Sequence, residues 1–93
     1  MQEEMNIKTF ISDVISEMQF MATNGQKIKQ EHIGNEIVSI DKKLLKNILF
    51  NLISNALKFS PENGVIVVAT TVLNSSIKII VKDNGIGDRK SVV

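Results

Sequence analysis

Cysteine, tryptophan and tyrosine are absent from this chain, and its 93 residues include one histidine, one proline and four phenylalanines. Without cysteine there is no disulfide and no thiolate metal site, a usage that fits a reducing compartment. The solitary His32 leaves no room for a His-based metal site, and as a strand residue it reads as a structural surface side chain. With so few rings, stacking on a planar ligand falls to Phe10, Phe20, Phe50 or Phe59. An excess of one charge is also missing: 11 basic and 10 acidic residues give a formal net charge of +1. The two signs are interspersed, so there is no electrostatic footprint for nucleic acid or for an anionic membrane. No apolar run approaches the roughly 20 residues needed to cross a bilayer, and the acidic start MQEEM has the wrong sign for a signal peptide. The chain is therefore expected in the cytoplasm, without nucleic acid or direct membrane contact. Its length suits one domain with a single modest core.

What is present is organised around Asp41 to Phe59, DKKLLKNILFNLISNALKF. Leu45, Leu49, Leu52, Ile53 and Ala56 recur at spacings of three and four, the signature of a helix buried along one side. Lys43, Asn47, Asn51, Ser54, Asn55 and Lys58 fall together on another side, whose middle is amide rather than charge. Asparagine lowers helix propensity because its side chain competes for the backbone, so a purely solvated face more often carries Glu and Lys. Two asparagines one turn apart can instead converge their oxygens on a hard cation such as Mg²⁺ or on polar groups of a ligand. On this helix alone, a solvated stripe that contains asparagine reads equally well. Asp41 is the expected N-cap, and Ser60-Pro61 closes the helix because the residue before proline is pushed out of the α region.

Upstream, Met1 to Met5 reads as a ragged N-terminus. Asn6 is a good N-cap for a helix whose stripe runs Ile7, Phe10, Ile11, Val14, Ile15, Met18 and Met21, with Asn24-Gly25 as its stop. Lys27 to Ile33 and Glu36 to Ile40 then read as two strands joined by a Gly34-Asn35 hairpin turn. Downstream, Glu62-Asn63-Gly64 is a turn before a β-branched central strand, Val65 to Leu73. Asn74-Ser75-Ser76 reverses the chain into Ile77 to Lys82, with Ile77, Ile79 and Val81 on one face. The order helix, hairpin, helix, hairpin predicts an α+β two-layer sandwich, helices packed on one face of a mostly antiparallel sheet.

Period two carries Asp83 onto the parity of Ile77, Ile79 and Val81, which would end the strand with a carboxylate in the helix layer. Such a group needs donors, since an unpaired buried carboxylate costs several kcal/mol in rough terms. Asn84-Gly85-Ile86-Gly87 follows, and its glycines allow a ligand to approach the backbone closely. Asp-Asn-Gly by itself is ordinary turn chemistry. The informative feature is the amide-lined helix one hairpin upstream of a strand that ends in Asp-Asn-Gly-Ile-Gly.

That combination resembles the Bergerat-type ATP-binding domain of sensor histidine kinases: Asn51 to Gly64 (NLISNALKFSPENG) is similar to its N box and Asp83 to Gly87 (DNGIG) to its G1 box. The resemblance runs from the first helix to Gly87 and implies a truncated Bergerat fold that binds ATP and Mg²⁺. It implies that Asn55 gives a side-chain oxygen to Mg²⁺, that Asn51 lies beside it, and that Lys58 lies near the phosphates. Phe59 would pack near adenine, Asp83 would accept from the adenine amino group, and Gly85 and Gly87 would shape the pocket floor. ATP-hydrolysing relatives typically carry a glutamate four residues before the metal-binding asparagine; an amide such as Asn51 cannot activate water. Phosphoryl transfer in a two-component phosphorelay needs only positioning and charge neutralisation from this module. The partners implied are a dimerisation domain bearing the phospho-accepting histidine and a response regulator receiver domain. His32 is in the wrong context to be that histidine, so no catalytic residue is expected here.

The match is incomplete. The lid, F box and second glycine box of the family do not follow Gly87. Asp88 to Val93 (DRKSVV) instead matches the in-frame translation of a common sequencing adapter. Residues 1–87 are thus expected to be a partial ATP-binding domain and 88–93 a non-native tail, the piece alone being inactive and its sheet left with an unpaired edge. Two other readings stand beside this one: a fragment of an ATPase or serine-directed kinase of the same superfamily, and a non-enzymatic α+β interaction domain.

Overall fold

A computed structural model describes residues 3–22, 25–74, 76–83 and 87–92, with the backbone alone for Asp83 and residues 87–92. The first helix, α1 (Ile7–Met18), begins at Asn6, whose side-chain oxygen accepts from the Thr9 amide at 2.9 Å. Its buried residues are Ile7, Ile11, Val14 and Met18. Past Met18 the chain tightens into a 3-10 turn, Gln19–Met21, so the expected stripe ends one turn early. Met21 is exposed rather than buried, and Phe20 is 92% exposed. The expected stop at Asn24 lies outside the described residues.

The second helix, α2 (Lys42–Phe59), has the expected bounds. Asp41 Oδ1 accepts from the amides of Lys43 (2.9 Å) and Leu44 (3.4 Å), satisfying donors that the first turn leaves free. Ser60 takes an extended conformation (ψ 142) ahead of Pro61 and ends the helix. Leu45, Leu49, Ile53, Ala56 and Leu57 are buried. Leu52, expected among them, is only partly buried against the core.

The described residues also form six strands: β1 (Glu3–Asn6), β2 (Lys27–Gly34), β3 (Ile37–Ile40), β4 (Val65–Leu73), β5 (Ser76–Asp83) and β6 (Gly87–Val92). They form a four-stranded sheet in the order β2-β4-β5-β6 and a two-stranded ribbon, β1-β3. β4 and β5 make the expected antiparallel hairpin, with Leu73 opposite Ser76 and Ile66 opposite Asp83. β6 pairs antiparallel with β5, so the outer strand on that side of the sheet is β6 rather than β5.

Two expectations fail at the N-terminal end. Residues 3–6 are a strand rather than a ragged start, since they supply the partner that β3 takes: Met5 opposite Val38 and Asn6 opposite Ile37. The Gly34-Asn35 hairpin does not form. β2 pairs with β4 instead, in parallel, Lys27 opposite Val65 through Gly34 opposite Val72. Gly34 is glycine for another reason: at φ +98 it lies so close to β4 that a side chain would collide with the Val72 carbonyl.

One face of the larger sheet is buried. Ile66, Val68, Ile79 and Val81 are fully buried there, and α1 and α2 pack over them through Ile7, Ile11, Leu45, Leu49 and Ile53. At about 25 cal/mol per Å² of apolar surface, each such side chain contributes roughly 1.5–3 kcal/mol. The opposite parity, including Lys29, Lys78 and Lys82, faces solvent, as alternation requires. The result is the α+β two-layer arrangement predicted from the sequence. No helix among the described residues is long and apolar enough to cross a membrane.

Candidate functional site

The polar stripe of α2 emerges as predicted: Lys43, Asn47, Asn51, Asn55 and Lys58 are exposed and Ser54 is half-buried. The same helix buries Leu45, Leu49 and Ile53 at the spacing that holds this stripe away from the sheet. Asn51 and Asn55 stand one turn apart, and neither side chain has a hydrogen-bond partner among the described residues. The one local tie is at the backbone, where Ser54 Oγ donates to the Asn51 carbonyl at 3.3 Å. Lys58 follows on the same side and holds its Nζ 5.5 Å from the centroid of the Phe59 ring. Phe59 is 54% exposed, as Phe20 and Phe50 are also exposed.

Asp83 is the last residue of β5, paired with Ile66 on one side and Gly87 on the other. Gly87 opens β6, and Gly85 lies outside the described residues. The topology brings the C-terminal part of the α2 stripe and the end of β5 to one end of the molecule. α2 packs against β4, β5 and β6. Only Ser60–Gly64 separate its last residue from β4, and Ile66, one residue into β4, lies opposite Asp83. The C-terminal turns of α2 and the C-terminal end of β5 are therefore neighbours. His32 lies toward the other end of the sheet, opposite Thr70 in β4. It is half-buried, and its Nε2 bonds the Asn35 carbonyl at 2.9 Å, which fits a structural role.

Neither of two shallow hollows on the surface is lined by Asn51 or Asn55, though the first takes in Ser54 and Lys58 of the same stripe. One, about 200 Å³, is lined by Met21, Gln26, Ser54, Leu57 and Lys58. Another, about 350 Å³, is lined by Lys8, Thr9, Ser12, Gln30 and Glu36. Among the described residues there is no group of three or more His, Cys, Asp or Glu able to hold a metal ion by itself. Any ion at the amide edge must draw most of its oxygens from a ligand, as Mg²⁺ does on nucleotide phosphates.

Sequence reasoning does not single out Gln26, which has no motif around it. Its amide is buried and donates to the carbonyls of Leu57 (2.9 Å) and Ser60 (3.1 Å) at the end of α2.

Residues 40–91 match the family model described as histidine kinase-, DNA gyrase B-, and HSP90-like ATPase. Histidine protein kinase DivJ of Caulobacter vibrioides is 42% identical over 54 residues, 58% of this chain and 9% of that protein. The cell-division control histidine kinase PdhS of Brucella canis is 31% identical over 94 residues, 98% of this chain and again 9% of the relative. The chain thus spans less than a tenth of the length of either. The catalytic domain of histidine kinase ThkA superposes with a TM-score of 0.78 at 22% identity, over 89% of this chain and 58% of that one. ThkA has also been solved in complex with the response regulator protein TrrA, where the superposition has a TM-score of 0.75 at 24% identity over 88% of this chain and 25% of that one. The chain belongs to the histidine kinase-, DNA gyrase B- and HSP90-like ATPase family, as ATP-binding domain sequence of the sensor histidine kinase kind.

Proposed function

We propose that residues 1–87 form the part of a two-component sensor histidine kinase that binds Mg·ATP and presents it for phosphoryl transfer to a histidine on a separate dimerisation domain. The observation that carries this reading is the exposed amide pair Asn51 and Asn55, without hydrogen-bond partners among the described residues, on the helix whose C-terminal end neighbours the terminus of β5. When bound, Mg²⁺ neutralises charge on the phosphates during transfer. Asn55 is positioned to offer it an amide oxygen, with Asn51 one turn before. Lys58 supplies positive charge for the phosphates and Phe59 an apolar face for adenine. Asp83 is assigned to accept from the adenine amino group, and Gly85 and Gly87 to let the base approach the backbone.

Asn51 carries the distinction between transfer and hydrolysis. Its amide has no useful basicity, so no side chain at that position can draw a proton from water. The domain then holds ATP in place and leaves the acceptor histidine to arrive from elsewhere. The acceptor domain and a response regulator are the protein partners this assigns, and the ThkA–TrrA complex supports the second of them. We place the domain in the cytoplasm and regard residues 88–93, although 88–92 pair with β5 as most of β6, as a tail appended to it.

Titration with Mg·ATP, followed by an assay for released phosphate, tests the reading. Binding without steady phosphate release is expected. Binding with continuous release would instead favour an ATPase, and absence of binding by a full-length kinase containing this segment would remove nucleotide from the account altogether.

A further inference from the structure

The last turn of α2 ends without the usual means of satisfying its carbonyls. Helices that finish on a left-handed residue fold two backbone amides back onto the final turn. Here Ser60 is extended (φ -83, ψ 142) and the next residue, Pro61, has no N–H to give. The carbonyls near the end of the helix therefore turn to water or, where buried, to donors from elsewhere in the fold.

Gln26 supplies them. It lies just before β2, is only 7% exposed, and bonds Leu57 and Ser60 at 2.9 and 3.1 Å, bridging the last helical turn and the residue that closes it. Gln26 is itself held: its carbonyl accepts from Gln19 Nε2 at 3.1 Å, and Gln19 Oε1 accepts from the Ile28 amide at 3.3 Å. One residue on, the Lys27 amide donates to the Gly64 carbonyl at 3.0 Å, fastening the far side of the same loop. Two glutamines and the start of β2 thus tie the end of α1 to the end of α2.

The turn held in this way carries Lys58 and Phe59 and directly follows Asn55. We infer that Gln26 is a positioning residue for the phosphate end of the nucleotide site, acting through the Leu57 and Ser60 carbonyls without touching the ligand. The inference rests on the ATP reading above. Asp83 belongs to β5 and lies outside this clamp, so loosening it weakens phosphate contacts more than adenine recognition.

The test is the affinity gap between Mg·ATP and adenosine, measured by calorimetry on the full-length kinase that contains this segment, with urea unfolding run alongside. Gln26→Met keeps the size of the side chain and removes its donors; the gap should narrow by roughly three- to tenfold, the worth of one or two net hydrogen bonds. Gln26→Lys, which restores a donor and a charge suited to a helix C-terminus, should recover most of it. Gln19→Met, one step removed, should narrow the gap less. An unchanged gap in both methionine variants would overturn the inference while leaving ATP binding intact, and if Gln26→Met fails to fold, Gln19→Met decides alone. A wild-type kinase that binds neither ligand would sink the ATP reading itself, and this inference with it.

Discussion

Asn51 and Asn55 each lower the helix propensity of α2 by roughly half a kcal/mol relative to alanine. Neither recovers that loss through a hydrogen bond within the described protein, which is the pattern expected of side chains kept for a ligand. Replacing Asn55 with alanine should favour the helix slightly and remove one oxygen from the cation. The expected result is that Mg²⁺ no longer strengthens ATP binding, a loss of about tenfold, read by titrating ATP with Mg²⁺ and with a chelator. Asp83→Asn should act on the other end of the ligand. It should weaken adenosine binding by a similar factor while leaving inorganic triphosphate unaffected, and an equal loss for both ligands would mean that the acid does not face adenine. The asparagines and Asp83 stand out in the sequence because their types conflict with their local setting: amides in a helix, and a carboxylate on an apolar strand parity. Gln26 is not legible. A glutamine between Asn24-Gly25 and a run of lysines is unremarkable until the end of α2 is seen beside it.

At the scale of elements, what depends on neighbours in the chain is readable and what depends on distant partners is not. The bounds of α2 follow from Asp41 and Ser60-Pro61, both acting within a few residues, and the β4–β5 hairpin follows from strong alternation on either side of a short turn. Asp41 should accordingly matter on its own account. Asp41→Ala removes the acceptor for the Lys43 and Leu44 amides and should lower stability, measured as a lower urea midpoint at unchanged slope. The pairing of β2 with β4, by contrast, joins residues separated by the whole of β3 and α2. Gly34-Asn35 offers a local signal for a hairpin, and the close approach of the Val72 carbonyl, the true reason for that glycine, has no trace in the neighbouring residues. The β1–β3 ribbon is hidden for the same reason: a four-residue strand carries too little pattern to announce a partner 30 or more residues away.

For the molecule as a whole, the core lies between α1, α2 and one face of the β2-β4-β5-β6 sheet, and it contains one misfit. Thr70 is 1% exposed in the middle of β4, and its hydroxyl has no hydrogen-bond partner among the described residues. Valine has nearly the same shape without the polar atom, so Thr70→Val should stabilise the fold by about 1 kcal/mol, seen as a higher urea midpoint. This core sets α2 against β4 and β5, which is what brings the C-terminal turns of α2 near the end of the sheet where β5 stops. The central claim is that these two features bind one nucleotide. Its most direct test is to add Mg·ATP at millimolar concentration to the isotope-labelled 93-residue chain and follow every backbone amide by NMR. Shifts concentrated at Asn51, Asn55, Lys58, Phe59 and Asp83 to Gly87 are predicted, whereas shifts confined to one of the two groups, or centred elsewhere, would contradict a shared site.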